Sequence, residues 1–335
     1  MAMAMAMALA LIVGLAACSS SGGSEAAGSS TTGPVATRSP SASTTVPPKV
    51  RASSGCGVAP AVRGLTSQAP GDVALTFASG EVQRSYRLGI PDSYDRARPA
   101  PLILDLHGSG STGAQQSLYS DLSRRAAARG IITVTPDAID HQWQLGPKGT
   151  DDDFLVALVH AIESRYCVNL DRVDVAGLSL GSWKAAVMAC VHPDVFAAAG
   201  LVAVEVHPKP CRPMPVIAFH GTADHVVPYG EGADPGVVVH GFNADLPGAR
   251  ENIASWAEDG HCSTQAQVRT IGTDVVRWTY AGCASGVDVQ LYTVLHGDHT
   301  WPGSAITIGP TTHTIDATNL ILDFFQAHPL RNPHP

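Results

Sequence analysis

Charge is scarce in this sequence: Asp, Glu, Lys and Arg make up only 15% of its 335 residues, and aromatic residues only 6%. Disordered chains and coiled coils need far more charge, so both classes are excluded. The 21 basic residues form no cluster and the net charge is −8. That balance argues against an electrostatic grip on nucleic acid or on an acidic membrane surface. There is no CxxC pair and no Cys/His group with zinc spacing, so no metal site is expected. A P-loop is set aside as well, because its lysine is missing. What is plentiful is apolar content, at 44%, together with 24 prolines and 33 glycines. These suit one large, loop-rich globular domain with a substantial core.

The amino terminus reads as an address. Residues 1–17 are apolar throughout but shorter than the roughly 20 residues that a spanning helix needs, so they read as a signal peptide. Leu15-Ala16-Ala17-Cys18 resembles the bacterial lipobox, in which the cysteine is lipidated and becomes the new amino terminus. No Lys or Arg precedes the apolar run, and a simple secretory signal is the alternative. Either way an exported protein is expected, secreted or held at the cell surface by a lipid on Cys18, its only membrane contact. Residues 18–54, rich in Ser, Thr, Pro and Gly, cannot bury enough surface to offset ordering entropy and read as a tether. The folded domain is expected over 55–330.

Beyond Cys18 six cysteines remain, an even number that favours disulfides in an exported protein. Cys262–Cys283 and Cys190–Cys211 suit local bridges and would leave Cys56–Cys167, one choice among many connectivities.

Short apolar runs bounded by turn residues predict buried strands at 102–106, 131–135, 173–176, 200–204, 216–219 and 289–295. Helical patterns at 118–129, 152–166, 182–191, 250–258 and 315–327 lie between or after them. Strands alternating with helices predict an α/β fold, a mainly parallel sheet covered on both faces, with 81–91 as an antiparallel edge strand.

The chemistry-bearing residues fall at strand ends. Gly177-Leu178-Ser179-Leu180-Gly181 follows a strand and precedes a helix, the context in which G-x-S-x-G forms a nucleophile elbow. A serine hydroxyl needs a base, and the base an orienting acid. Asp224 follows the strand ending at Phe219, and His299 lies in the loop after the strand at 289–295. His296 competes with His299 but is placed to close the strand. The small-residue loop His107-Gly108-Ser109-Gly110 is positioned to offer one oxyanion donor from Ser109, with the second from the Leu180 amide.

Arg84-Ser85-Tyr86-Arg87-Leu88, Leu104-Asp105-Leu106-His107-Gly108, the GLSLG elbow, Pro193-Asp194-Val195-Phe196-Ala197-Ala198, His220-Gly221-Thr222-Ala223-Asp224 and His299-Thr300-Trp301-Pro302-Gly303 occur in this order. Together they resemble the polyhydroxybutyrate depolymerase and feruloyl esterase group, similar to carbohydrate esterase family 1, over nearly all of residues 56–327. The resemblance implies an α/β-hydrolase fold, a Ser179–His299–Asp224 triad, no cofactor, and an ester substrate, free or part of a polymer. It implies no protein or nucleic-acid partner. The chain departs from the family at Leu180, at Ser182-Trp183 and in Asp151-Asp152-Asp153-Phe154-Leu155, positions that bear on substrate more than on mechanism.

About ten residues separate Val204 from the next strand, too few for a helical lid, so an open cleft is expected. Trp143 and Trp301 are expected to offer flat substrate contacts, Trp183 is as readily a packing residue, and 229–242 is a candidate cleft rim. Two other readings stay open: a serine peptidase on the same scaffold, and a surface-anchored binding protein that keeps the fold without catalysis.

Overall fold

The computed structural model describes residues 50–59, 72–146, 148–230 and 247–330. The leader, Cys18 and nearly all of the tether lie outside these residues, as do residues 231–242 of the expected rim.

The strands are β1 (Val73–Ser79), β2 (Val82–Gly89), β3 (Ala100–Leu106), β4 (Ile132–Pro136), β5 (Val168–Leu178), β6 (Ala199–Val202), β7 (Val216–Gly221), β8 (Ala266–Ile271), β9 (Val275–Tyr280) and β10 (Val289–Val294). They form one ten-stranded sheet in the order β1-β2-β4-β3-β5-β6-β7-β10-β9-β8. The six strands from β4 through β10 in that order run parallel, and an antiparallel hairpin closes each edge. The parallel strands read in the sequence as near-continuous apolar runs because both of their faces are covered.

The edges differ from expectation. The strand expected at 81–91 is not the edge but the inner half of a hairpin, with β1 outside it. β1 alternates half-buried with exposed residues, and exposed Ala74, Thr76 and Ala78 interrupt its apolar pattern. The β8–β9 hairpin has no counterpart among the expected strands; β8 is mostly exposed, with too little buried apolar sequence to show a period.

Helices α1 (Gly113–Ser120), α2 (Leu122–Ala128), α3 (Thr150–Arg165), α4 (Leu180–Val191), α5 (Ala249–Asp259) and α6 (Ala317–Ala327) cover the sheet. Phe154, Leu158 and Ile162 of α3, Ala185 and Met188 of α4 and Trp256 of α5 pack with Leu102, Leu104 and Val175 in one layer. Leu122 of α2 and Ile321 and Phe325 of α6 pack with Ile103, Ala176 and Ile217 in the other. The alternation of Leu102, Ile103 and Leu104 between layers is the two-residue period of a strand. The single helix expected at 118–129 is broken at Asp121, whose left-handed backbone (φ 53°) ends α1 and starts α2. The Asp121 carboxylate pairs with Arg124 and Arg125 one turn on, which holds the break.

Three disulfides join Cys56 to Cys167, Cys190 to Cys211 and Cys262 to Cys283. The first closes a sequence separation of 111 residues, the other two 21 each. Chain entropy alone assigns about 4–5 kcal/mol to the long loop and about 3 kcal/mol to each short one.

Candidate active site

The elbow at the end of β5 is the most constrained backbone near the cleft. Ser179 adopts φ 57° and ψ −122°, a conformation that costs on the order of 1–3 kcal/mol for a residue bearing a Cβ. Both glycines of the motif are required by close approach. A Cβ on Gly177 would lie 2.4 Å from the Gly181 backbone, and one on Gly181 would lie 2.1 Å from the Leu106 carbonyl oxygen. The Ser179 N–H donates to the Val202 carbonyl (2.9 Å), which ties the turn to β6. Helix α4 begins at Leu180, so its amino-terminal N–H groups and positive dipole end lie beside the serine.

Adjacent strands β7 and β10 bring the other two residues together. Their following loops touch: Ala223 N–H donates to the Gly297 carbonyl (2.9 Å), and a Cβ on Gly221 would meet that same oxygen at 2.2 Å. His299 Nδ1 lies 2.7 Å from Asp224 Oδ2, while Asp224 Oδ1 accepts the amides of Val226 (2.9 Å) and Val227 (2.8 Å). Burial pushes the Asp224 carboxyl up, but hydrogen bonds from His220 and His299 outweigh it and hold the group well below the ordinary carboxylate range. His296 and His313 are exposed, and neither lines the cleft.

Ser179 and His299 line one cleft of about 410 Å³, together with Gly108, Ser109 and Leu178. Its mouth carries the exposed side chains of Leu118, Ile306 and Ile308. Gly108 passes close over the serine; a Cβ there would sit 3.4 Å from that of Ser179. The Ser109 hydroxyl bonds to the Gln142 side-chain amide (2.9 Å). Buried His107 holds this loop from below. Its Nε2 accepts the Ala138 N–H (3.0 Å) and its Nδ1 donates to the Gly108 carbonyl (2.7 Å), a neutral ring whose pKa burial lowers.

The two tryptophans are not substrate platforms. Trp143 is buried, donates Nε1–H to the His107 carbonyl (2.9 Å) and packs against the His107 ring, with centroids 5.0 Å apart and planes tilted by 39°. It is a strut beneath the Ser109 loop. Trp301 is fully buried and donates Nε1–H to Thr318 Oγ1 (2.9 Å), while its backbone N–H donates to the Tyr119 hydroxyl (3.0 Å). It anchors the His299 loop to α1 and α6. A large ring with one N–H near a site satisfies both its area and its donor best inside the core.

The acidic run at the start of α3 secures the same loops. Asp151 pairs with Arg84 (2.8 Å) and accepts the Gln144 N–H (2.8 Å). Asp152 pairs with buried Lys184, whose Nζ also donates to the Gln144 carbonyl (2.8 Å). Neither basic residue stands out in the sequence as a partner, because each is more than thirty residues from its carboxylate. Among the described residues no group of His, Cys, Asp and Glu is placed to hold a metal ion.

Comparison with known proteins agrees with this architecture. A family model described as "Putative esterase" matches residues 79–275. Feruloyl esterase B of Piromyces equi is 30% identical over 224 residues, 62% of this chain and 41% of that protein, so the match spans less than half of the relative's length. Probable feruloyl esterase C of Aspergillus niger is 26% identical over 243 residues, covering 68% of this chain and 86% of that one. The acetyl xylan esterase structure from Aspergillus awamori superposes with a TM-score of 0.52 at 14% identity, over 76% of this chain and 99% of that one, a likeness of fold. With the family model covering more than half of its length, the chain belongs to the esterase family.

Proposed function

We propose that this protein is an extracellular serine esterase that hydrolyses carboxylic esters through Ser179, His299 and Asp224. The observation that carries the reading is the 2.7 Å contact of His299 Nδ1 with buried Asp224, on a ring that lines the same cleft as the strained Ser179. His299 Nε2 takes the Ser179 proton as Oγ attacks the ester carbonyl. The tetrahedral oxyanion is held by N–H groups of Leu180 and the Ser109 loop, each worth on the order of 3 kcal/mol. His299 then protonates the leaving alkoxide as the C–O bond breaks, and the acyl group stays on Ser179. Water, deprotonated by His299, releases the acid and restores the serine.

The names of the relatives support feruloyl or acetyl esters of polysaccharide as the substrate class. The aliphatic mouth of Leu118, Ile306 and Ile308 supports an apolar acyl group, and hydroxyacyl polyesters of the polyhydroxybutyrate type fit it as well. Three disulfides support an extracellular location, with Cys18 the proposed lipid attachment.

The test is a hydrolysis panel of a short-chain nitrophenyl ester, methyl ferulate and a 3-hydroxybutyrate oligomer, run beside Ser179→Ala. Turnover that the substitution abolishes establishes the esterase, and the preferred ester names the substrate. Absence of turnover above Ser179→Ala on every ester, with the protein folded, leaves a binding protein on the esterase fold.

A further inference from the structure

Beside Asp224 lie two buried ionisable residues for which ester hydrolysis has no direct use. His220 stands near the end of β7, and Glu205 lies in the connection between β6 and β7. His220 Nδ1 lies 2.8 Å from Glu205 Oε2. Its Nε2 lies 2.9 Å from the Val227 carbonyl oxygen and 3.3 Å from Asp224 Oδ2. The side chains of Glu205, His220 and Asp224 are all buried.

Hydrogen-bond accounting sets the charge of this ring. A carbonyl oxygen only accepts, and so does an ionised carboxylate. The three neighbours of His220 are therefore satisfied together when both of its nitrogens carry hydrogen. Burial opposes the charged ring, but the Glu205 charge and the Asp224 hydrogen bond outweigh it and push the His220 pKa up to about 10.

We propose that Glu205 and His220 are positioning residues for the triad: a buried carboxylate–imidazolium pair that fixes Asp224 and tempers its charge toward His299. This rests on the Ser179–His299–Asp224 reading. Asp224 Oδ2 is shared between two imidazoles, His299 at 2.7 Å and His220 at 3.3 Å. The positive end of the Glu205–His220 pair is the end nearest Asp224, and it draws on the anion that would otherwise act on His299 alone. A less compensated anion would favour the protonated base. The pair also closes the acid turn, because Val227 gives its amide to Asp224 and its carbonyl to His220.

The other polar groups around the pair are accounted for. The Tyr229 ring lies edge-on to His220 at 5.5 Å, with its hydroxyl 2.7 Å from Thr293 Oγ1. Arg250 and Glu251 of α5 act on Tyr229 in opposite senses. Trp256 Nε1–H donates to the backbone carbonyls of Glu205 and Val206. On the His299 side, Asp298 accepts the His299 backbone N–H and pairs with His225.

Two measurements on the full chain decide the matter. Imidazole 15N NMR, assigned by through-bond correlation, should find both ring nitrogens of His220 protonated at pH 8; a neutral ring there overturns the proposal. The pH profile of kcat/KM on 4-nitrophenyl acetate, from pH 4 to 9, should show the acid limb of His220→Gln about one unit higher than that of wild type, a roughly tenfold deficit at its foot relative to the plateau. A purely structural residue would lower activity equally at every pH, so an unmoved limb in a folded variant also overturns it. If His220→Gln does not fold, the wild-type ring measurement decides alone. Turnover that survives Ser179→Ala would sink the triad reading itself, and the ring measurement tells that failure apart from this one.

Discussion

Two buried ionic clusters flank the Ser179 elbow, and they are built from different cations. On the α3 side, Asp151 and Asp152 meet Arg84 and Lys184. On the β7–β10 side, Glu205 and Asp224 meet His220 and His299. The first cluster pins the segment that carries Gln144 and Lys148, next to the Trp143 strut. The second holds the proposed base. Arginine and lysine keep their charge across the working range, whereas imidazole changes charge within it. Burying charge is therefore no guide to role: Arg84 and Lys184 brace a loop, whereas His220 and His299 share the carboxylate of Asp224.

The sharpest way to break this division is Asp224→Asn. It should lower kcat/KM by about 10³–10⁴-fold, because the base loses its orienting anion, and steady-state kinetics on a nitrophenyl ester would show it. Lys184→Met acts on the other cluster. It strands the buried Asp152 carboxylate and should cost about 3–5 kcal/mol in urea unfolding, while the remaining activity keeps the wild-type pH profile. A shifted profile in that variant would erase the distinction between the clusters.

A second effect on stability follows from linkage. His220 binds its proton more tightly in the folded protein, with a pKa of about 10 against the ordinary 6.5. The stabilisation it contributes is complete below about pH 6.5 and is lost as pH rises through about 10. Wild-type unfolding free energy should fall across that window, and His220→Gln should flatten the slope. Smallest of all is His225→Ala. The His225 side chain is largely exposed beside Asp298, and removing a surface pair of this kind should change stability by less than about 1 kcal/mol in the same unfolding assay.

Much of the fold was legible because its signals are local. Each parallel strand is a short apolar run, and Ser179, Asp224 and His299 each lie just past the end of one, where a strand delivers side chains to the rim of an α/β sheet. The two local cysteine bridges suggested by spacing form, and the structure alone selects Cys56–Cys167 with them from the many connectivities left open. The β8–β9 hairpin is not legible in the sequence because its mostly exposed outer strand carries little apolar periodicity. The break at Asp121 was hidden because the residues on both sides favour helix, and only the ion pairs with Arg124 and Arg125, and of Arg125 with Asp316, show why the chain turns there.

The sequence by itself determined the alternation of strands and helices, the elbow and the candidate acid and base, since each depends on residues within a few positions of one another. Only the tertiary structure decided what those side chains touch. His299 reaches Asp224 across 75 residues and Glu205 reaches His220 across 15, contacts that exist because β6, β7 and β10 lie side by side in the sheet. The same packing turned Trp143 and Trp301 from expected substrate contacts into struts. Hydrogen-bond partners and burial are properties of neighbours in space, and strand order, which sets those neighbours, is decided by the energy of the whole sheet.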